Sequence, residues 1–115
     1  MPIHHAIDYI EFGVTEMAEA KRFYHEAFGW EFTDYSPTYA GIQGSDGEAG
    51  GFTVVDMVQR GGPLVVLYSE NLEESLDAVR RAGGVIVKDV FSFPGGRRFH
   101  FHDSQGNEVA VWSDR

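Results

Sequence analysis

Apolar and polar positions along this chain follow two rhythms, and the rhythms change in the same order twice. Over residues 7–12, Ile10 and Phe12 share one side while Tyr9 and Glu11 share the other, predicting a half-buried strand with a polar outer face. The period then lengthens. Met17, Ala20, Tyr24, Ala27 and Phe28 recur at helical intervals and mark the buried stripe of a helix over residues 15–28. Thr15 is the expected N-cap, Glu16 and Glu19 suit the positive end of the helix dipole, and Gly29 stops the helix. Residues 30–35, 39–43 and 51–55 read as three short strands. Between the last two, the glycine-rich residues 44–51 read as a mobile loop, either a lid or a long hairpin connection.

The second half repeats this grammar. Residues 64–68 form an apolar strand, and a helix follows over residues 71–82 with Asn71 and Glu74 as a capping box. Leu72, Leu76, Val79 and Ala82 make its buried stripe, and Gly83-Gly84 ends it. Residues 85–91, 97–102 and 108–112 are strands, joined by turns at Pro94-Gly95-Gly96 and at residues 103–107. Sliding one half onto the other by 84 − 29 = 55 positions superposes Gly29 on Gly84, Ala27 on Ala82 and Glu19 on Glu74. Met17 then falls on Leu72, and Phe12 on Leu67. The chain divides into module one (about 7–55), a linker (about 56–62) and module two (about 63–113). An internal repeat decides architecture first, and a duplicated sheet can place a small-molecule cavity between its copies.

Charge and composition narrow the function. The 115 residues make one domain with an ordinary hydrophobic content of 43%, which argues against disorder. A net charge of −9 argues against nucleic acid or an anionic membrane as a partner, since phosphate contacts need clustered Lys and Arg. With no Cys, thiolate metal sites, disulfides and cysteine nucleophiles are excluded. The N-terminus lacks the basic and apolar regions of a signal peptide, and no apolar run approaches the ~20 residues of a membrane helix. A cytoplasmic protein is the expectation.

The order of elements carries a resemblance. Together with Phe23-Tyr24 late in the first helix, Gly29-Trp30 after it and Asp103-x-x-Gly106-Asn107 before the last strand, it resembles the vicinal oxygen chelate superfamily. This is the glyoxalase, bleomycin-resistance and extradiol-dioxygenase group. The resemblance implies an α+β fold of two βαβββ modules, each curling a mixed sheet around a concave ligand cup, with helices on the convex side. It also implies a homodimer. In catalytic members a divalent metal sits in the cup, and the corresponding ligand positions here are Tyr9, Leu64 and Ala110. Leucine and alanine cannot bind a metal, and neutral tyrosine is a poor ligand for Mg, Mn, Ni or Zn. Neither a metal at the usual positions nor any other cofactor is therefore expected.

Strand parity supplies what the cup holds instead. With Ile10 and Phe12 under the helix, Tyr9 and Glu11 face the cup; by the repeat, so do Leu64, Val66 and Tyr68. Glu108, Ala110 and Trp112 share that side, as do His100 and His102, because Phe99 and Phe101 are the natural core residues. The expected ligand site is Tyr9, Glu11, Tyr68, His100, His102 and Trp112. These groups suit a small organic ligand with a polar handle. A metal-free small-molecule binder is the leading expectation. A glyoxalase-like lyase or isomerase is the alternative, with Glu11 and His100 as catalytic base and acid, or with the His100/His102 pair holding a displaced divalent metal. A structural or partner-binding subunit with a vestigial cup is the third. Arg97 and Arg98 either clamp a ligand oxyanion or pair with the chain's own carboxylates.

Overall fold

The computed structural model describes residues 2–115. Strand, helix and three strands follow one another twice. The first module contains β1 (Ile10–Val14), α1 (Met17–Phe28), β2 (Phe32–Ser36), β3 (Tyr39–Gly44) and β4 (Gly47–Val54). The second contains β5 (Val65–Tyr68), α2 (Leu72–Ala82), β6 (Val85–Phe93), β7 (Gly96–His102) and β8 (Glu108–Ser113). Each module builds its own four-stranded sheet, in the orders β1-β4-β3-β2 and β5-β8-β7-β6. The pairs β1/β4 and β5/β8 are parallel and the others antiparallel, so the fold is α+β with two βαβββ modules, as the pattern predicts. Phe12 pairs with Phe52 and Leu67 with Val111, so the repeat offset has grown to 111 − 52 = 59 by the last strands. The extra residues lie in the β6–β7 hairpin, whose first strand has nine residues against five in β2.

Parity decides which face is buried. Phe12, Phe52, Phe99 and Phe101 point under the helices and are 8% exposed or less, and both helices contribute to the same core. Helix α1 lies between the modules. Its Tyr24 ring stacks on Trp30 with centroids 4.5 Å apart and also packs on Phe12 and Phe52, while Phe23 and Phe28 pack on Phe101 of the second sheet. Each buried aromatic contributes about 2 kcal/mol or more by leaving water.

Two expectations are corrected. Thr15 does not cap α1 through its own side chain; Glu16 holds the N-cap position, without a side-chain hydrogen bond. The residues leading into α1 are held from the other module instead. The side-chain carbonyl of Gln105 accepts from Thr15 N at 2.7 Å, Glu16 N at 2.8 Å and Thr15 Oγ1 at 2.9 Å. At α2 the local rule holds: Asn71 Oδ1 accepts from Glu74 N at 3.2 Å. The glycine-rich stretch is likewise no mobile loop or lid. β3 runs to Gly44 and β4 starts at Gly47, its positive φ of 119° closing a two-residue turn.

The turn before β8 fastens the modules together. Asp103 is 6% exposed and accepts from Gln105 N at 2.8 Å, Asn107 N at 2.9 Å and the buried Tyr24 hydroxyl at 2.7 Å. Asn107 Nδ2 donates to the carbonyl of Gly13 in β1 at 3.0 Å. One short turn thus holds the first strand and first helix of the other module, and with them the orientation of the two sheets.

Candidate functional site

Opposite the helices each sheet has a second face, and the two faces differ in chemistry. On the first sheet Tyr9, Glu11, Tyr35, Tyr39 and Glu48 form a phenol–carboxylate surface. The Tyr39 hydroxyl donates to Glu11 Oε2 at 2.9 Å, so its oxygen accepts the short hydrogen bond from Tyr9. The Tyr35 hydroxyl donates to Glu48 Oε2 at 2.6 Å. Tyr39 is held well above the usual phenol range, first by the Tyr9 hydrogen bond and then by partial desolvation and Glu11; Tyr35 is raised chiefly by its bond to Glu48. Tyr35 and Tyr39 therefore remain neutral donors. Gly51 lies directly beneath the Tyr9 and Tyr39 hydroxyls, where a methyl group would collide with both.

On the second sheet the face is aromatic and cationic. Register places Tyr68 beside Trp112, Trp112 beside Arg98, Arg98 beside Phe91, and His100 beside both Ala110 and Lys88. Tyr68 meets Trp112 edge-on at 5.1 Å between centroids, and Phe93 lies 6.3 Å from Trp112. The Arg98 guanidinium sits 5.3 Å from the Phe91 centroid and 5.7 Å from that of Phe93. The Tyr68 hydroxyl donates to Asp114 at 2.6 Å.

Glu108 stands between the two histidines. His100 Nδ1 lies 2.9 Å from Glu108 Oε2, and His102 Nε2 lies 3.7 Å from Oε1. The His100 hydrogen bond, reinforced by His102 and Lys88, holds the Glu108 carboxyl below the usual carboxylate range, so it accepts and Nδ1 donates. In neutral His100 the Nε2 atom then carries the lone pair, and it has no partner although the residue is only 4% exposed. Arg98 Nε is the other buried side-chain atom without a partner among the described residues.

All six expected ligand-site residues lie on these faces, but not together. Tyr9 and Glu11 belong to the first sheet, joined through Tyr39; Tyr68, His100, His102 and Trp112 belong to the second. Glu11 and His100 share no hydrogen bond, each being taken by a partner in its own sheet. Of the arginines, Arg97 forms a two-pronged pair with Glu73 of α2, whereas Arg98 forms none. The sequence pattern assigns no site role to Tyr35 or Glu48, and it places Glu108 on the cup side without a partner. Tyr39 and Glu108 were readable as strand residues on the outer side, but their partners depend on cross-strand register.

The positions where the resemblance implies a divalent metal do not fit one. Leu64 and Ala110 carry no donor atom, and the Tyr9 hydroxyl is engaged with Tyr39. Among the described residues, no three His, Asp or Glu side chains are grouped so as to hold a metal ion. A two-module α+β fold of two βαβββ units, each with its own four-stranded sheet, defines a class. Residues 6–111 match the family model of the Glyoxalase/Bleomycin resistance protein/Dioxygenase superfamily, and the chain belongs to that superfamily. It is 28% identical to a glyoxylase-like domain-containing protein of Didymella fabae, over 96% of this chain and 95% of that one. Solved structures share the fold. A glyoxalase/bleomycin resistance protein/dioxygenase family enzyme from Burkholderia phytofirmans PsJN superposes with a TM-score of 0.80 at 13% identity, covering 94% of this chain and 98% of that one. TnmS3, an antibiotic binding protein from Streptomyces sp. CB03234, superposes with a TM-score of 0.71 at 19% identity, covering 98% of each chain.

Proposed function

We propose that this protein binds a small organic molecule on the concave face of the second sheet and needs no metal at the superfamily's usual positions to do so. The observation that carries the reading is the aromatic wall of Tyr68, Phe93 and Trp112 beside two buried nitrogens without partners, Arg98 Nε and His100 Nε2. Buried polar atoms are ordinarily satisfied, and unsatisfied ones mark a place where a partner is missing. That TnmS3, of the same fold, is an antibiotic binding protein supports a binder on this scaffold. A thermal-shift screen of small aromatic and oxygenated compounds tests the reading. Compounds that raise the melting temperature are expected to lose most of that effect in Trp112→Ala, because aromatic stacking contributes about 1 kcal/mol beyond area burial. A screen without stabilising compounds, or hits insensitive to Trp112, would sink it.

The same reading takes the chain as a homodimer. β1 and β5 are open edge strands, and Ile10, Leu64 and Val66 leave apolar surface exposed on or beside them. Sedimentation at rising concentration checks the association.

A second reading has its own observation. His100, held through Nδ1 by Glu108, has the arrangement of an oriented general base with Nε2 free, which suits a metal-free proton transfer. Under this reading His100→Gln abolishes turnover with the fold intact, whereas a binder shows none to abolish. Metal loading separates both from a displaced-metal enzyme. Protein lacking His4 and His5, exposed to Zn, Ni, Co, Mn or Fe(II), should take up no stoichiometric metal and keep its melting temperature. Near-stoichiometric metal lost in His100→Ala would overturn the metal-free account.

A further inference from the structure

We infer that Arg98 anchors the oxyanion of a small aromatic acid, whose ring lies against Trp112 and Phe93. The inference rests on the small-molecule reading above and names the ligand class. Four observations converge on it.

The first is an inventory of charge. The chain carries −9 overall, and most of its cations are already matched: Lys21 with Asp34, Arg22 with Glu19 and Glu26, Arg80 with Asp89, Arg97 with Glu73 and Arg115 with Asp114. Among the described residues Arg60, Arg81, Lys88 and Arg98 have no ion pair. Arg60 and Arg81 are exposed, where water serves. Arg98 is half-buried and makes no hydrogen bond, with its Nε wholly shielded from solvent. A charged donor in that position is costly unless an acceptor arrives.

The second is that no nearby carboxylate is free to answer it. Glu108 is engaged by His100 and His102, Asp114 by the Tyr68 hydroxyl, and Glu73 by Arg97. The acceptor must come from outside the chain.

The third is orientation. The ring centroids of Phe91 and Phe93 lie 5.3 and 5.7 Å from the guanidinium carbon and hold the group beside the aromatic wall, while its terminal N–H groups are left for a two-pronged bond to a carboxylate. Lys88, with Nζ 5.6 Å from the Phe91 centroid, adds positive charge on the same face.

The fourth is the surface beside it. Trp112 pairs with Arg98 across β7 and β8, with Tyr68 edge-on to it and Phe93 tilted against it, an apolar wall next to the cation. A planar ring carrying a carboxylate satisfies both at once. An aliphatic anion leaves the wall uncovered, and a neutral aromatic leaves Arg98 unanswered.

Calorimetric titration with 1-naphthoate, 1-naphthamide and acetate tests this. The amide keeps the ring without the charge, and acetate keeps the charge without the ring. The expected order is naphthoate first, by about tenfold over naphthamide, a bidentate charge-assisted pair being roughly twice as strong as a neutral one. Acetate should be weaker still. Arg98→Gln should erase the preference for naphthoate over naphthamide, while the surface control Arg60→Gln leaves it unchanged. The comparison of probes on the unaltered protein stands even if Arg98→Gln lowers stability. Equal binding of naphthoate and naphthamide overturns the inference while leaving the small-molecule reading intact. So does a preference that survives Arg98→Gln. Absence of naphthoate binding overturns it as well, the broader reading being decided by its own screen. A dimer that dissociates in Arg98→Gln would show that a second copy's carboxylate, from the Glu11 and Glu48 face, is the occupant, and would also overturn it.

Discussion

Asp103→Ala should be among the most damaging single changes in this protein, lowering stability by about 3 kcal/mol and the melting temperature by roughly 15 °C. The carboxylate is buried and receives Tyr24 Oη, Gln105 N, Asn107 N and, at 3.3 Å, Asn107 Nδ2. Its removal leaves the Tyr24 hydroxyl without a partner inside the core and releases the turn that positions Gln105 and Asn107. Those two side chains hold the start of α1 and the end of β1, so the loss reaches into the other module. Tyr24→Phe removes only one of these bonds together with its donor and should cost about 1 kcal/mol. Thermal and denaturant unfolding of both variants checks the ordering. An Asp103→Ala protein as stable as Tyr24→Phe would mean that the turn is not the fastening it is described as.

Gly50→Ala is the second large effect. Gly50 pairs with Ile10 in the parallel β1–β4 ladder, and a Cβ there would sit well inside contact distance of the Ile10 carbonyl oxygen. Backbone must move to admit it, and overpacking of this kind costs about 2 kcal/mol, roughly 10 °C in a domain this size. The strand that moves carries Glu11 and leads from Tyr9, so hydrogen exchange should speed up along β1 and β4 while the second sheet keeps its protection. Gly41→Ala is the control. Its Cβ meets only the far end of the Glu48 side chain, which can swing aside, and the cost should be a few tenths of a kcal/mol. If the two substitutions prove equally mild, the close approach of β1 to β4 is wrong.

These residues also show how far the sequence could be read. The two-module fold was legible because caps, stripes and stops recur at a fixed offset, and patterning of that kind is local. Thr15 satisfies the local rule for a cap on α1, yet its hydroxyl and the backbone N–H groups of Thr15 and Glu16 turn instead to Gln105, 90 positions later. Residues 44–51 looked like a loop because glycine dominates their composition. In fact those glycines serve β4, where Gly47 closes the turn with its positive φ and Gly50 and Gly51 let a strand and two tyrosines come close. At the candidate site, parity gave the correct face for Tyr9, Glu11, Tyr68, His100, His102 and Trp112. It could not give partners. Whether Glu108 meets His100 or Arg98 depends on the register of β8 against β7, and which of Lys88 and Phe91 lies beside His100 or Arg98 depends on irregularities in β6 that no alternation records.

The most direct test of the account follows the side chains themselves. In ¹⁵N–¹H spectra of the labelled protein titrated with 1-naphthoate, the largest changes should appear at the Trp112 indole N–H and the Arg98 Nε–H, with smaller ones along β7 and β8. Shifts centred on the Tyr9, Glu11 and Tyr39 surface of the first sheet, with Trp112 and Arg98 unmoved, would contradict a ligand site on the second.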